Sequence, residues 1–205
     1  MPVIYYAYYS PISEKIPDIT AQEHRLGRRL LARGLNDLYQ LPVSFGQIDR
    51  SLKADANGKP FLPARPDIFF NISHCSGLAV CALDSLPIGA DAELPGYFAD
   101  ILVSRALSES EKSFLQNTGV NLPLRQEWFY RLWTLKEAYV KKSGKGVDTD
   151  LTKFSFSFDE SGEKLHVRCS DPLVSCFQEK LPSGHILSVC YTDSGSPVVL
   201  TELTL

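Results

Sequence analysis

Ile88-Gly89-Ala90-Asp91-Ala92-Glu93 places two carboxylates in a run of small and apolar residues. Residues two apart in a strand point to the same side, so Asp91 and Glu93 share one face while Ala90 and Ala92 share the other. Such charges can simply face water, but the small intervening residues indicate that the backbone approaches another element closely. Because like charges repel, a hard divalent cation such as Mg²⁺ is a common reason to hold two carboxylates together.

A second stretch, from Trp133 to Gly146, supplies a third carboxylate on a helix. The helix begins near Pro123, ends at Gly144 and Gly146, and buries a stripe formed by Trp128, Leu132, Leu135 and Tyr139. Glu137 and Lys141 are four residues apart and therefore share a face away from this stripe. An ordinary helix ion pair, worth only about 0.2–0.5 kcal/mol, is the favoured explanation of Glu137 when it is considered alone.

Composition limits the classes of protein to consider. The chain has 205 residues, 44% of them hydrophobic, which is enough for a substantial core. We expect a cytoplasmic protein without membrane association, because no apolar run reaches membrane-spanning length and the first ten residues do not resemble a signal peptide. A formal net charge of −3 argues against nucleic-acid binding. Five cysteines without a Cys-x-x-Cys pair suggest neither disulfides nor zinc.

The order of the remaining elements predicts an α+β protein. The first strand is Val3–Tyr9, and a helix follows, started by the capping-box pattern Thr20-Ala21-Gln22-Glu23. We expect the following further elements: a loop-rich stretch from Pro42 to Pro66 with the turn Asn57-Gly58-Lys59-Pro60; a meander of strands 68–72, 78–83 and 88–93; helices 98–107 and 109–116; and, after the long helix, strands 154–158, 164–168 and 185–191.

Two further patterns remain open from the residues alone. On the first helix the apolar side is Leu26, Leu30, Leu31, Leu35 and Leu38, and the opposite face carries Arg25, Arg29 and Arg33, a pattern typical of a solvated charged face. Ser76-Gly77-Leu78-Ala79-Val80-Cys81 is weakly repeated as Ser183-Gly184 followed by Leu187-Ser188-Val189-Cys190, a similarity that is close to chance when taken alone.

Taken together, these segments resemble the Sfp-type 4′-phosphopantetheinyl transferase family. The matching pieces, in family order, are Gly58-Lys59-Pro60, Phe70-Asn71-Ile72-Ser73-His74, Ile88 to Glu93, and Trp133-Thr134-Leu135-Lys136-Glu137-Ala138 with Lys141 and Gly144-Lys145-Gly146. The resemblance runs from the helix that contains Arg25 to the end of the chain. This sequence departs from the family at Ala90 and Ala92, where Ile or Val is usual, and in its short amino terminus.

The resemblance implies transfer of the phosphopantetheine arm of coenzyme A to a serine of an apo acyl or peptidyl carrier protein, with release of adenosine 3′,5′-bisphosphate. This is the reaction of a holo-acyl-carrier-protein synthase. It further implies that Asp91, Glu93 and Glu137 hold Mg²⁺ and that Lys141 binds the same phosphates, which suits displacement at phosphorus. The alternatives are another Mg²⁺-dependent phosphoryl transferase, although no P-loop is present, and a non-catalytic carrier-binding protein.

The resemblance also assigns residues outside the acidic set. Glu111 matches the family glutamate that takes the serine proton, but Ser108-Glu109-Ser110-Glu111 is equally a capping box, and both interpretations stand. Ser73 and His74 match residues that contact coenzyme A phosphates, and Lys59 matches the loop beside the adenine. Arg25 is the match for the arginine on the 3′-phosphate, with Arg28 or Arg29 as alternatives in another helix register.

The implied fold consists of two similar α+β halves related by a pseudo-two-fold axis, residues 1–88 and 89–205, with coenzyme A between them. Related transferases of about half this length form trimers, so the doubled length argues for a monomer. Carrier proteins are usually acidic, and Lys141, Lys142 and Lys145 with Arg125 and Arg131 are expected to form a basic rim that faces them.

Overall fold

Two sheets, each with three antiparallel strands in the same order, organise the chain. The computed structural model describes residues 1–118, 121–146, 149–159, 165–192, 195 and 197–204. The first half contains β1 (Val3–Tyr8), α1 (Ile16–Tyr39), α2 (Phe45–Ser51), β2 (Lys53–Ala54), β3 (Pro60–Phe61), β4 (Phe69–Cys75) and β5 (Leu78–Asp84). The second contains β6 (Ile88–Glu93), α3 (Asp100–Ala106), α4 (Glu109–Asn117), α5 (Leu122–Ser143), β7 (Phe156–Asp159), β8 (His166–Cys169), β9 (Ser175–Lys180) and β10 (Ile186–Tyr191), followed by β11 (Val199–Glu202).

The strand orders show that the two halves are similar. In the first sheet β5 lies between β1 and β4, and in the second β10 lies between β6 and β9, always with antiparallel neighbours. Each half also has a two-stranded hairpin, β2-β3 or β7-β8. The prediction of an α+β fold built from two similar halves is therefore confirmed. The boundary between residues 88 and 89 stays a prediction, since β11 pairs in parallel with β1 of the first sheet.

The weak internal repeat lies on equivalent strands. β5 and β10 are the central strands of the two three-stranded units, and each follows a turn glycine with positive φ, 82° at Gly77 and 88° at Gly184. Only glycine adopts that conformation without strain. The repeated Ser-Gly and Leu-x-Val-Cys residues are therefore explained by a shared turn and a shared core position.

The predicted meander is wrong in its last strand. β4 and β5 pair as expected, but β6 pairs with β10, with Asp91 opposite Ser188. The edge of β6 meets the edge of β4 through a side chain, because the amide of Ala90 donates to Oδ1 of Asn71 at 2.8 Å. The junction between the two sheets thus brings the end of β4 next to the carboxylates of β6.

Helix α1 begins earlier than predicted. It starts at Ile16 with Pro17 in its first turn, so Thr20 and Glu23 lie inside the helix and the predicted capping box is wrong. Leu26, Leu30, Leu31 and Leu35 are buried as expected against residues of β1 and β5, whereas Leu38 is exposed. Arg25, Arg29 and Arg33 are exposed, in agreement with a solvated face.

Helix α5 has the bounds that its sequence predicts. Asn121 caps its first turn by accepting from the amide of Leu124 at 3.1 Å, and Gly144 ends it with φ of 67°. Leu132 and Leu135 are fully buried, whereas Trp128 and Tyr139 are only partly buried, and Phe129 is an unpredicted core residue.

Gly89 explains why β6 can lie directly against α5. A Cβ atom on Gly89 would lie 2.1 Å from the carbonyl oxygen of Ala138 and 2.2 Å from the amide nitrogen of Lys142. No side chain fits there, so the two backbones are in contact. The close approach expected from the small residues of β6 is confirmed, and it places the β6 carboxylates against the helix.

Other differences concern short elements. The stretch predicted to be loop-rich contains α2, β2 and β3, and β9 and β11 were not predicted because neither shows a clear apolar alternation. Lys164, in the strand predicted over 164–168, lies outside the described residues. Within the described ranges no helix is both long enough and apolar enough to span a membrane.

Candidate active site

The three predicted carboxylates lie around one pocket between β4, β6 and α5. We call it the acidic pocket, and its lining residues are Ile72, Ser73, His74, Asp91, Glu93, Trp133, Glu137 and Lys141. Strand β6 supplies Asp91 and Glu93 from one face, while Ala90 and Ala92 on the other face are buried in the core. Helix α5 presents Glu137 and Lys141 one turn apart, so the pocket joins residues that the sequence separates by more than forty positions.

Asp91 is the central charge of this pocket. Its side chain is only 6% exposed, and its Oδ1 atom accepts from Lys141 Nζ at 2.5 Å and from the hydroxyl of Ser73 at 2.9 Å. Its second oxygen, Oδ2, is buried and has no hydrogen-bond partner among the described residues. A buried carboxylate oxygen without a partner is costly, so this atom is available to a ligand.

The other two carboxylates are destabilised in their charged form. Burial, together with the carboxylate of Asp91, raises the pKa of Glu93 to about 7. Burial and Asp91 also raise the pKa of Glu137, against the opposing effect of Lys141. The group has more negative charge than Lys141 alone compensates, which is the situation in which a bound cation would be stabilising.

The carboxylates are not assembled as a finished metal site. Within the described part of the chain, no set of three His, Cys, Asp or Glu side chains has the arrangement of metal ligands. Lys141 takes one oxygen of Asp91, and the repulsion among the acids favours their separation. The donor set nevertheless fits a hard divalent cation, since all three side chains are carboxylates and Oδ2 of Asp91 is unused among the described residues.

His74 separates the acidic pocket from a second cavity. This basic cavity is lined by His24, Arg28, Asp49, Leu52, Lys53, Ala54, Gly58, Pro60, Ile72 and His74. Ser73 and His74 belong to β4 itself and not to the connection that was predicted to follow it. Arg28 reaches this cavity and pairs with Asp49 at 3.2 Å, whereas Arg25 is exposed and is not among its lining residues. Of the arginines that the sequence left open, Arg28 is therefore the one beside His74.

Lys59 joins the turn in the first half to the end of α5 in the second. The turn is held by Asp55, whose Oδ1 accepts from the amide of Lys59 at 2.9 Å, and φ of Gly58 is 82°. The ammonium of Lys59 is directed toward the second half and is part-buried. It donates to the carbonyl oxygens of Lys141 at 2.5 Å and Ile88 at 3.3 Å, and burial lowers its pKa. Lys59 thus neutralises the carbonyl end of α5 near the acidic pocket.

Glu111 lies in the core of the second half and not among the residues that line the acidic pocket. The predicted capping box is present, with the amide of Ser108 donating to Oε2 of Glu111 at 2.8 Å. The same oxygen lies 2.7 Å from Nζ of Lys136, and Oε1 accepts from the amide of Phe156 at 2.8 Å. Both side chains of the Glu111–Lys136 pair are at most 1% exposed, so these contacts support the cap over the base.

The roles of two buried charged residues outside the pocket lining were not predicted from the sequence. Lys136, within the Trp-x-x-Lys-Glu motif, is fully buried, and its ammonium also donates to the carbonyl oxygens of Leu151 and Phe154. The sequence signal that could have identified Lys136 is its position in this motif, directly before Glu137. Glu23 is buried against His74, and no local pattern indicates this contact, because the two residues are 51 positions apart and meet only in the fold.

The predicted basic rim is partly engaged within the chain. Arg131 pairs with Glu127 at 2.9 Å, and Arg125 with Asp100 at 3.1 Å. Lys145 is exposed and Lys142 partly so. Whether these side chains face a carrier protein stays a prediction.

Sequence comparisons with known proteins identify one family. Residues 87–190 match the family model described as the 4′-phosphopantetheinyl transferase superfamily. The chain is 30% identical over 181 residues to the 4′-phosphopantetheinyl transferase Sfp of Bacillus subtilis, covering 87% of this chain and 78% of the relative. It is also 30% identical over 175 residues to the 4′-phosphopantetheinyl transferase psf-1 of Bacillus pumilus, covering 84% and 72%. A solved structure, the holo-acyl-carrier-protein synthase of Thermotoga maritima, is similar with a TM-score of 0.40 and 20% identity over 53% of this chain and 63% of that chain.

Proposed function

The chain belongs to the 4′-phosphopantetheinyl transferase superfamily, and on this basis we propose that it transfers the 4′-phosphopantetheine group of coenzyme A to a serine of an apo acyl or peptidyl carrier protein. The products are the holo carrier and adenosine 3′,5′-bisphosphate. The reaction is that of a holo-acyl-carrier-protein synthase, and we propose that it depends on Mg²⁺.

The observation that carries this proposal is the composition of the acidic pocket. Asp91, Glu93 and Glu137 lie around a space that also contains Lys141 and Ser73. A pyrophosphate needs both cations and hydrogen-bond donors, and carboxylates contribute to its binding only through a metal ion. A lysine together with three carboxylates therefore suits a complex of Mg²⁺ with pyrophosphate better than it suits Mg²⁺ alone or pyrophosphate alone.

Asp91, Glu93 and Glu137 are the residues that would hold Mg²⁺. When bound, the ion supplies neutralisation of the charge on the phosphate oxygens during displacement at phosphorus. Lys141 supplies an ammonium, now paired with Asp91, that would donate to a phosphate oxygen. Ser73, which now donates to Asp91, keeps that carboxylate in a fixed orientation.

The second cavity suits the remaining phosphate of coenzyme A. His24, Arg28, Lys53 and His74 give it a basic lining, and arginine is well suited to bidentate donation to phosphate. The pockets on either side of His74 would thus take the 3′-phosphate and the pyrophosphate of one ligand. The turn around Lys59 contributes Gly58 and Pro60 to the lining of this cavity and would contact the adenine.

The proposal is tested by mass spectrometry of a carrier protein. The purified protein is incubated with coenzyme A, Mg²⁺ and several apo carriers, and the mass of each carrier is measured with and without EDTA. We expect the mass of phosphopantetheine to be added to at least one carrier, and only when Mg²⁺ is present. No addition to any carrier would refute the transferase activity, and addition that persists in EDTA would refute the metal dependence.

A further inference from the structure

Glu23 of α1 faces His74 of β4 in the interior of the first half. Oε2 of Glu23 lies 3.1 Å from Nδ1 of His74, and the glutamate side chain is 12% exposed. The hydroxyl of Tyr9 donates to the other oxygen, Oε1, and also lies 3.2 Å from the carbonyl oxygen of Cys75. A buried carboxylate is costly unless it is paired, and here the partners of Glu23 are the phenol of Tyr9 and the imidazole of His74.

The contact with Glu23 influences which ring nitrogen of His74 carries a proton. A carboxylate at 3.1 Å from Nδ1 favours a proton on that atom, in the same way that second partners fix the tautomer of functional histidines. The other nitrogen, Nε2, is then the atom left for a ligand. Because His74 lines both the acidic pocket and the basic cavity, the orientation of its ring affects both.

Among the charged groups around His74, Glu23 is the one that most favours the protonated, charged form of its ring. Burial lowers the pKa of His74, and His24 from α1 and Lys141 from α5 act in the same direction. Glu23 opposes them most strongly, with a smaller contribution from Asp91 of β6. An imidazole that donates from Nε2 to a phosphate oxygen while Nδ1 faces a carboxylate must be protonated on both nitrogens.

We propose that Glu23, held by Tyr9, is a positioning residue that keeps a proton on Nδ1 of His74 and directs Nε2 to a phosphate of coenzyme A. The inference rests on the proposed function, because it takes coenzyme A as the ligand. Glu23 acts through His74 and does not itself touch the substrate. The contact depends on the packing of α1 against β4, because Glu23 lies on α1 and His74 lies on β4.

The test compares Glu23→Gln with the matched control Asp18→Asn, which removes an exposed carboxylate from the same helix. Dissociation constants for coenzyme A are measured by calorimetry on the full chain, alone and combined with His74→Ala. We expect Glu23→Gln to weaken the binding of coenzyme A about tenfold, since a charge-assisted contact is lost. The variant should also raise KM for coenzyme A, while kcat stays within about twofold. In the His74→Ala background the same change should have no further effect. Asp18→Asn should match the wild type.

A second measurement separates positioning from folding. In ¹⁵N spectra of the wild-type protein, the chemical shift of Nδ1 of His74 should show that this atom is protonated. The shift should change in Tyr9→Phe, which keeps Glu23 but removes the hydroxyl that donates to it. Equal losses from Glu23→Gln in both backgrounds, or an unprotonated Nδ1 in the wild type, would overturn the inference. Failure of the wild-type protein to bind coenzyme A would instead refute the proposed function.

Discussion

Nζ of Lys141 lies 2.5 Å from Oδ1 of Asp91, so an ammonium one turn beyond Glu137 is the counter-charge of the most buried carboxylate in the acidic pocket. The pair joins α5 to β6, the two elements that meet at Gly89. Since the lysine side chain is 29% exposed and the aspartate 6%, the lysine is the partner that can move. A Mg²⁺ ion and Lys141 would therefore share Asp91.

Lys141→Met should reveal a competition between Lys141 and Mg²⁺ for the carboxylate of Asp91. Without the ammonium, three carboxylates remain close together, and we expect the metal-free protein to lose about 1–3 kcal/mol of unfolding free energy. Mg²⁺ should then stabilise the variant more than the wild type. Urea unfolding in EDTA and in Mg²⁺ measures both effects, with Lys142→Met as the control. Equal stabilisation of variant and wild type by Mg²⁺ would contradict the competition.

Glu137→Gln should remove Mg²⁺ binding while leaving the fold intact. The substitution keeps the shape of the side chain but removes a ligand charge, so we expect transfer to carriers to fall about 100-fold or more. The rise in melting temperature on adding Mg²⁺ should disappear as well. Glu109→Gln, an exposed change on α4, serves as the control. A variant that retains both the Mg²⁺ shift and the activity would exclude Glu137 as a ligand.

The pH dependence of stability should reveal Glu93. Its pKa is raised from about 4.5 to about 7, so the folded protein binds a proton here more tightly than the unfolded chain. In EDTA its contribution to stability is complete below about pH 4.5 and is lost as the pH rises through 7. Mg²⁺ would bind the ionised form and should offset this loss.

We therefore expect the Mg²⁺-induced rise in melting temperature to be larger at about pH 8 than at about pH 6. Thermal unfolding across this range, with Glu93→Gln in parallel, measures the difference. The variant should lack this pH-dependent component, and a wild-type shift that is the same at both pH values would argue against Glu93 as a ligand.

Variants at Glu111 and Ser108 separate the cap from the base. Glu111→Gln leaves the buried ammonium of Lys136 without its counter-charge, which should cost about 3–5 kcal/mol. Ser108→Ala removes only the cap and should cost about 1 kcal/mol. If the role is structural, kcat of the folded fraction stays near wild type in both variants.

The opposite pattern would identify a base. A loss of about 10²-fold or more in kcat in Glu111→Gln, with little change in urea stability, would show that Glu111 accepts the serine proton. Ser108→Ala should keep full kcat in either case, which makes it the reference for the loss of the cap alone.

Gly89→Ala should be among the most damaging changes in the chain. A Cβ atom there would meet the backbone of α5 at 2.1 Å, and the backbone can yield only by moving β6 away from the helix. We expect a loss of about 3 kcal/mol or more in stability and weaker Mg²⁺ binding. Gly46→Ala, where the added atom meets nothing within 4 Å, should be neutral or stabilising. Similar stabilities for the two variants would refute the close approach.

The site was predictable from sequence wherever its residues lie at regular spacing on one element. The alternation of Ile88 to Glu93 separates a carboxylate face from an alanine face, and the four-residue spacing of Glu137 and Lys141 places them on one side of a helix. Both patterns depend only on local backbone geometry, and the structure has both. The turn at Gly58 and the helix end at Gly144 were predictable for the same reason, since each requires positive φ.

Tertiary structure decided which residues meet across the fold. Strand β6 pairs with β10 and not with β5, Lys59 reaches the end of α5, and Glu23 meets His74, although none of these pairs is close in sequence. The amino-acid types alone predicted a cap at Glu23, which the structure contradicts. A charged side chain is stabilised in the interior only by partners that approach it there, and those partners come from distant segments brought together by packing of the two sheets.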